Sequence, residues 1–129
     1  MARITTSKDC GNSPKNIFIQ KFSIALVVGD MDYLLASIAD EIQWKWIDDQ
    51  LVQGRAEFEK AYPLTRKDID DLTIFHVVSH GKAGAVHGRM KLTNSKVFEF
   101  CDVYEFTNAR GTCIRDITSF SVEIKQQER

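Results

Sequence analysis

One carboxyl, Asp102, stands inside the run Phe98-Glu99-Phe100-Cys101-Asp102-Val103-Tyr104-Glu105-Phe106. Strand alternation sends every second side chain to one face, so Asp102 shares a side with Phe98, Phe100, Tyr104 and Phe106. A carboxyl among aromatic rings is expected to be desolvated, which suits it to give or take a proton. The same position also suits a structural role, in which Asp102 holds a fixed hydrogen bond to a buried Tyr, Trp or His and orders the wall around it. Both readings of Asp102 stand on the sequence.

His76, His80 and His87 cluster around the segment from Ser79 to Gly88. A phosphate loop is disfavoured, because such cradles need a strand-to-helix junction and a Lys-Ser/Thr ending, whereas here strand leads to strand. A metal site is disfavoured too. His76 and His80 lie four apart on a strand, about 13 Å, too far for one ion, and His80 with His87 across the turn finds no third ligand. His80 at a pocket rim, as an acid/base or hydrogen-bond partner to a ligand, is the remaining functional reading against that of ordinary loop histidines. Asp102 and His80 are therefore the candidate catalytic pair, with no metal and no cofactor implied.

Trp44, Trp46, Phe22, Tyr33 and Phe58, joined by Phe100 and Tyr104, form a set of side chains able to line a hollow for a flat, apolar or aromatic ligand. In a small domain the same residues also make a core. Cys101 points away from Asp102 on a strand, so a Cys/His nucleophilic pair is not supported.

The elements that must carry these residues follow from local signals. Residues 1–12 are polar and read as a flexible leader, and residues 13–126 as one domain. Ser13-Pro14 starts a helix, because the serine oxygen can accept an orphan amide and proline is preset for the first helical position. Ile17, Phe18, Phe22, Ala25 and Leu26 then recur at helical spacing up to Gly29. Asp30 caps a second, shorter helix with Tyr33, Leu34, Leu35 and Ile38 as buried positions. After Asp40 the period changes to two, with Ile42, Trp44 and Trp46 facing one way, and Asp48-Asp49 turns the chain. Gly54 opens a third helix with Ala56 or Phe58 and Ala61 inward, and Pro63 closes it.

Arg66 to Asp71 reads as a solvated linker into a meander of four strands, Leu72–Ser79, Ala85–Thr93, Lys96–Thr107 and Thr112–Lys125, separated by turn clusters. The last two, at about 40 Å each, fit a small domain only if the sheet coils. The fold class expected is α+β, a curved antiparallel sheet packed against about three N-terminal helices in a cystatin-like roll. Val97, Cys101, Val103, Phe120, Val122 and Ile124 make the far face apolar as well, and one helix layer covers only one face. A homodimer through the outer sheet face is therefore expected.

Composition narrows the partners. The chain of 129 residues is 43% hydrophobic, enough for one core, and carries a net charge of −1, so no positive field draws nucleic acid or anionic lipid. Three cysteines, Cys10, Cys101 and Cys113, without paired spacing fit a reducing, cytoplasmic setting. The longest apolar run, Ile24 to Val28, is too short to span a bilayer.

The order helix, helix, short strand, helix and long meander resembles the nuclear transport factor 2-like superfamily, with its ketosteroid isomerases and SnoaL-like polyketide cyclases. Val28-Gly29-Asp30, Ile38-Ala39-Asp40-Glu41-Ile42-Gln43-Trp44, Gly54-Arg55-Ala56-Glu57 and Cys101-Asp102-Val103-Tyr104-Glu105-Phe106 carry the likeness over about residues 14–125. The resemblance implies a cone-shaped fold with a pocket at its wide end, often dimeric, used for unrelated purposes. It also implies which isomerase groups are missing: the oxyanion-holding phenol falls on Phe22 and the carboxylate base on Trp46, while the acid of the oxyanion hole falls on Asp102. The function expected is a small-molecule domain using Asp102 in isomerase, cyclase or dehydratase chemistry. The alternative is a non-catalytic binding or dimerisation module.

Overall fold

Ser13 and Pro14 start the first helix by the chemistry their side chains allow. The computed structural model describes residues 2–6, 13–47, 50–65 and 68–125. Its first helix, α1, spans Pro14–Val28, and the Ser13 hydroxyl accepts from the Asn16 amide at 3.4 Å. Gly29 ends the helix in the left-handed region at φ 83°, its amide donating to the Ala25 carbonyl at 2.9 Å. Ile19, Phe22, Ala25 and Leu26 are buried, whereas Ile17 is largely exposed and Phe18 half-buried. The buried stripe is rotated from the expected one, with Ile19 in the core where Ile17 was expected.

Asp30 caps α2, Met31–Ala36, by accepting from the Tyr33 amide at 3.2 Å. The helix stops before Ile38, which instead begins strand β2, Ile38–Trp46; Ser37 at the junction donates its hydroxyl to the Tyr33 carbonyl at 2.7 Å. Strand β3, Leu51–Gln53, pairs antiparallel with β2, and the turn expected at Asp48-Asp49 lies outside the described residues. Helix α3, Arg55–Thr65, continues two residues past Pro63. Of its expected inner positions Phe58 is buried, Ala61 half-buried and Ala56 exposed. Arg55 ties this helix to the α2–β2 junction by donating from Nη1 to the Leu35 and Ile38 carbonyls at 2.6 and 3.0 Å.

The meander consists of β4 (Ile69–His80), β5 (Ala83–Leu92), β6 (Val97–Phe106) and β7 (Ile114–Glu123), paired antiparallel in sequence order. Ile69 to Asp71, expected in the linker, already belong to β4; Arg66 and Lys67 lie outside the described residues. The sheet is not antiparallel throughout. β2 joins β7 in parallel, and Arg3–Thr5 forms a strand, β1, parallel to β4. The order is β1-β4-β5-β6-β7-β2-β3. Three residues of the supposed leader are thus part of the sheet, because the β4 edge offers unpaired backbone groups that an extended segment can satisfy; residues 7–12, Cys10 among them, lie outside the described residues, as does the domain end at residue 126.

Register shifts between Ile69 and Asp71, Ile74 and His76, Ile38 and Gln43, and Glu105 and Phe106 bend the sheet into a cone-shaped α+β fold. Helix α1 packs on β4 and β5, and α3 on β2 and β3, all on the concave face. Gly88 permits a close approach there: a Cβ on it would meet the Thr73 carbonyl oxygen and the Phe100 ring, the latter at 2.9 Å. The convex face has no helices over it among the described residues, and Val78, Val103, Phe120, Val122 and Ile124 are exposed on it.

Candidate functional site

Asp102 lies on β6 between Val86 of β5 and Ser119 of β7, on the concave side, and is 1% exposed. Alternation therefore assigned its face correctly. Phe100, Tyr104 and Phe106 extend from the same side of β6 and are buried with it. Two hydrogen bonds give this apolar face a polar seam. The Tyr104 phenol meets the Ser23 hydroxyl of α1 at 3.3 Å, and the Trp44 indole Nε1 donates to the Ser119 hydroxyl at 2.8 Å. Ser119 and Ser23 went unnoticed in the sequence, although signals existed: Ser119 follows Ile117 by two on a strand, and Ser23 follows Ile19 by four on a helix.

The aromatic side chains singled out as a lining are brought together as two groups. Under α1, Phe22 meets Tyr104 edge-on at 5.7 Å, and Phe18 bridges to Phe22, Tyr33 and Phe106 at 6.5, 6.4 and 6.0 Å. Under α3, Trp44 stacks on Trp46 at 4.1 Å and tilts against Phe58 at 5.1 Å. Phe22, Trp44, Phe58 and Tyr104 are all 0% exposed. Water has no room beside them, so ring-to-ring packing occupies this part of the concave side. Tyr33 and Trp46 are only half-buried, and burial raises the Tyr33 phenol above its ordinary value.

His80 is not brought to Asp102. It ends β4 opposite Ala83, exposed, three residues along from Val77, whose row across the sheet contains Asp102. An odd offset on a strand puts the two on opposite faces. His80 does not meet His87 across the turn either, since His87 pairs with His76. Cys101 sits directly opposite His87 on the convex side, but burial, with Asp102 nearby, pushes its thiol up, which disfavours a nucleophilic thiolate. A convex groove of about 420 Å³ runs past His87, Glu99, Cys101, Phe120 and Val122. Among the described residues no helix is long and apolar enough to cross a membrane.

The chain order and sheet order together match many solved structures. The chain has the nuclear transport factor 2-like fold. An NTF2-like protein of unknown function from Cytophaga hutchinsonii superposes with a TM-score of 0.64 at 24% identity, covering 82% of this chain and 97% of its own. An LEH-like epoxide hydrolase from M. tuberculosis gives 0.67 at 14% identity, with 82% and 80% covered. The epoxide hydrolase/cyclase-like enzyme SalBIII, with a role in pyran ring formation in the polyether salinomycin, gives 0.69 at 15% identity, with 84% and 90% covered. No family model and no curated protein matches the sequence.

Proposed function

We propose that this chain is a small-molecule domain of the isomerase or cyclase kind, in which Asp102 faces the carbonyl of an apolar or aromatic ligand admitted to the concave side. The observation that carries the reading is the burial of Asp102 on that side, among Phe100, Tyr104 and Phe106 and opposite Ser119. As a base, Asp102 takes a proton from the carbon next to the carbonyl, the electron pair moves onto the carbonyl oxygen, and return of the proton to carbon completes the cycle. As an acid, it donates a hydrogen bond to the same oxygen. Phe22 has no hydroxyl and Trp46 cannot take a proton from carbon, so the carboxyl acts without the other two isomerase groups.

The test is exchange of the α-protons of 2-tetralone in D2O, followed by proton NMR. Asp102→Asn should slow protein-catalysed exchange by about 100-fold or more while the far-ultraviolet circular dichroism is unchanged. Exchange no faster than in buffer, or equal in the variant, would reject the catalytic reading.

The complete burial of Phe22, Trp44, Phe58 and Tyr104 favours a second reading, a non-catalytic module whose concave side is packed shut. Its working surface is then the convex face, where Val78, Val103, Phe120, Val122 and Ile124 are exposed. A second copy of this chain is the occupant proposed, since a net charge of −1 opposes self-association little. Sedimentation equilibrium at micromolar concentration should then give a dimer that Phe120→Glu dissociates; a monomeric wild-type chain would eliminate this interface.

A further inference from the structure

The convex face carries a pair of histidines that local sequence spacing does not bring together. On β4, Leu72 and Ile74 face the core, so strict alternation would send His76 inward as well. The register instead jumps from Ile74 opposite Gly88 to His76 opposite His87, a bulge with Phe75 as the extra residue. His76 is thereby turned outward, and Val77 takes the core position. The two imidazole rings lie almost parallel, 5° apart, with their Nδ1 atoms 3.2 Å from each other.

In its neutral form His87 has one lone pair, and its surroundings select the nitrogen that keeps it. Its Nε2 lies 2.7 Å from the Glu99 Oε2 and so carries the proton donated to that carboxylate. The other oxygen of Glu99 accepts from Arg89 Nη2 at 3.0 Å, and these two bonds hold the Glu99 carboxyl below its ordinary value. Phe75, set outward by the bulge, tilts against the His87 ring at 5.3 Å and lies under the Arg89 guanidinium at 5.9 Å. His87 therefore presents a lone pair at Nδ1 from a ring held on three sides. In the metal-free chain that lone pair accepts from His76 Nδ1.

We propose that His76 Nδ1 and His87 Nδ1 together chelate one divalent transition-metal ion of the zinc, nickel or copper class. Two metal–nitrogen bonds of about 2.05 Å spanning the observed 3.2 Å enclose roughly 100°, near the tetrahedral angle. Glu99 occupies the outer position that orients a ligating imidazole and makes it more basic. Loading requires His76 to move its proton from Nδ1 to Nε2, which leaves the charge of both rings unchanged, and both rings to turn so that their Nδ1 lone pairs aim at one point rather than at each other. Among the described residues no group of three or more His, Cys, Asp or Glu side chains converges on one point. The remaining coordination positions therefore fall to water or to donors from another molecule, and imidazole-rich, partly open sites suit this class of cation rather than magnesium or calcium.

Isothermal titration of the tag-free chain with zinc sulfate near pH 7.5 tests the site. One ion per chain is expected, with affinity reduced about tenfold or more in His76→Ala and in His87→Ala, and by a similar factor in Glu99→Gln. His80→Ala should bind like the wild type. In a nitrogen-15 NMR spectrum of the imidazoles, zinc should shift the Nδ1 signals of His76 and His87 and not those of His80. Equal affinity, within twofold, in the wild type and His76→Ala would overturn the proposal and leave the pair as a shared hydrogen bond only. Unmoved Nδ1 signals at saturating zinc would do the same, whatever the variants' stability.

Discussion

Trp44→Ala reads most directly whether the concave side can hold an apolar guest. The indole is 0% exposed, stacked on Trp46, tilted against Phe58 and hydrogen-bonded to Ser119. A buried Trp side chain removes about 150–250 Å² from water, or ~4–6 kcal/mol at 25 cal/mol per Å². Alanine keeps part of that, and truncations of this size cost about 3–5 kcal/mol. Loss of the bond to Ser119 adds ~1 kcal/mol. A domain of 129 residues has a stability of about 6–19 kcal/mol, so the variant should remain folded with its melting temperature lowered by roughly 10–20 °C.

Indole should then refill the space. At a free concentration ten times its dissociation constant it restores about 1.4 kcal/mol, and several degrees of melting temperature with it. Adding Ser119→Ala removes the acceptor for the indole N–H and should weaken indole binding by about fivefold, which at the same concentration cuts the rescue to about half. Differential scanning calorimetry with and without indole supplies the readout. If indole raises the melting temperature of wild type and variant equally, or of neither, the concave side has closed over the deletion and does not hold an apolar guest.

Two further outcomes follow from single side chains. Arg55→Met should cost about 1.5–3 kcal/mol in urea unfolding, because its guanidinium donates to the Leu35 and Ile38 carbonyls, and Arg55→Lys should recover little of it; an Arg55→Met loss below about 0.5 kcal/mol would deny the anchor. Burial raises the Tyr33 phenol above 10.0, so in alkaline solution the folded chain keeps a proton that the unfolded chain releases, and stability falls as pH rises through that window. Tyr33→Phe should lose less stability than the wild type above about pH 10, as followed by urea midpoints; parallel curves would refute the shift.

Much of the fold was legible because its signals are local. The serine cap at Ser13, the left-handed Gly29 and the Asp30 cap each satisfy backbone groups within a few residues, so their types alone locate helix ends. The face of Asp102 was legible for the same reason, since alternation is a property of the strand itself. The extent of α2 was not: Ile38 has helical spacing from Leu34, yet Ser37 closes the helix and β7 recruits Ile38 as a parallel partner.

By itself, the sequence determined the helix starts, the long strands, the apolar character of both sheet faces and the company Asp102 keeps on β6. Tertiary structure alone decided that β1 joins β4 and β2 joins β7 in parallel, that His80 lies on the other face from Asp102, and that a bulge at Phe75 turns His76 onto His87. The division has one physical cause. Caps and alternation are governed by atoms a few bonds apart, whereas register is chosen by which distant strand satisfies the backbone and which side chains then fit the core. One extra residue in a ladder costs little locally and inverts the face of every side chain beyond it.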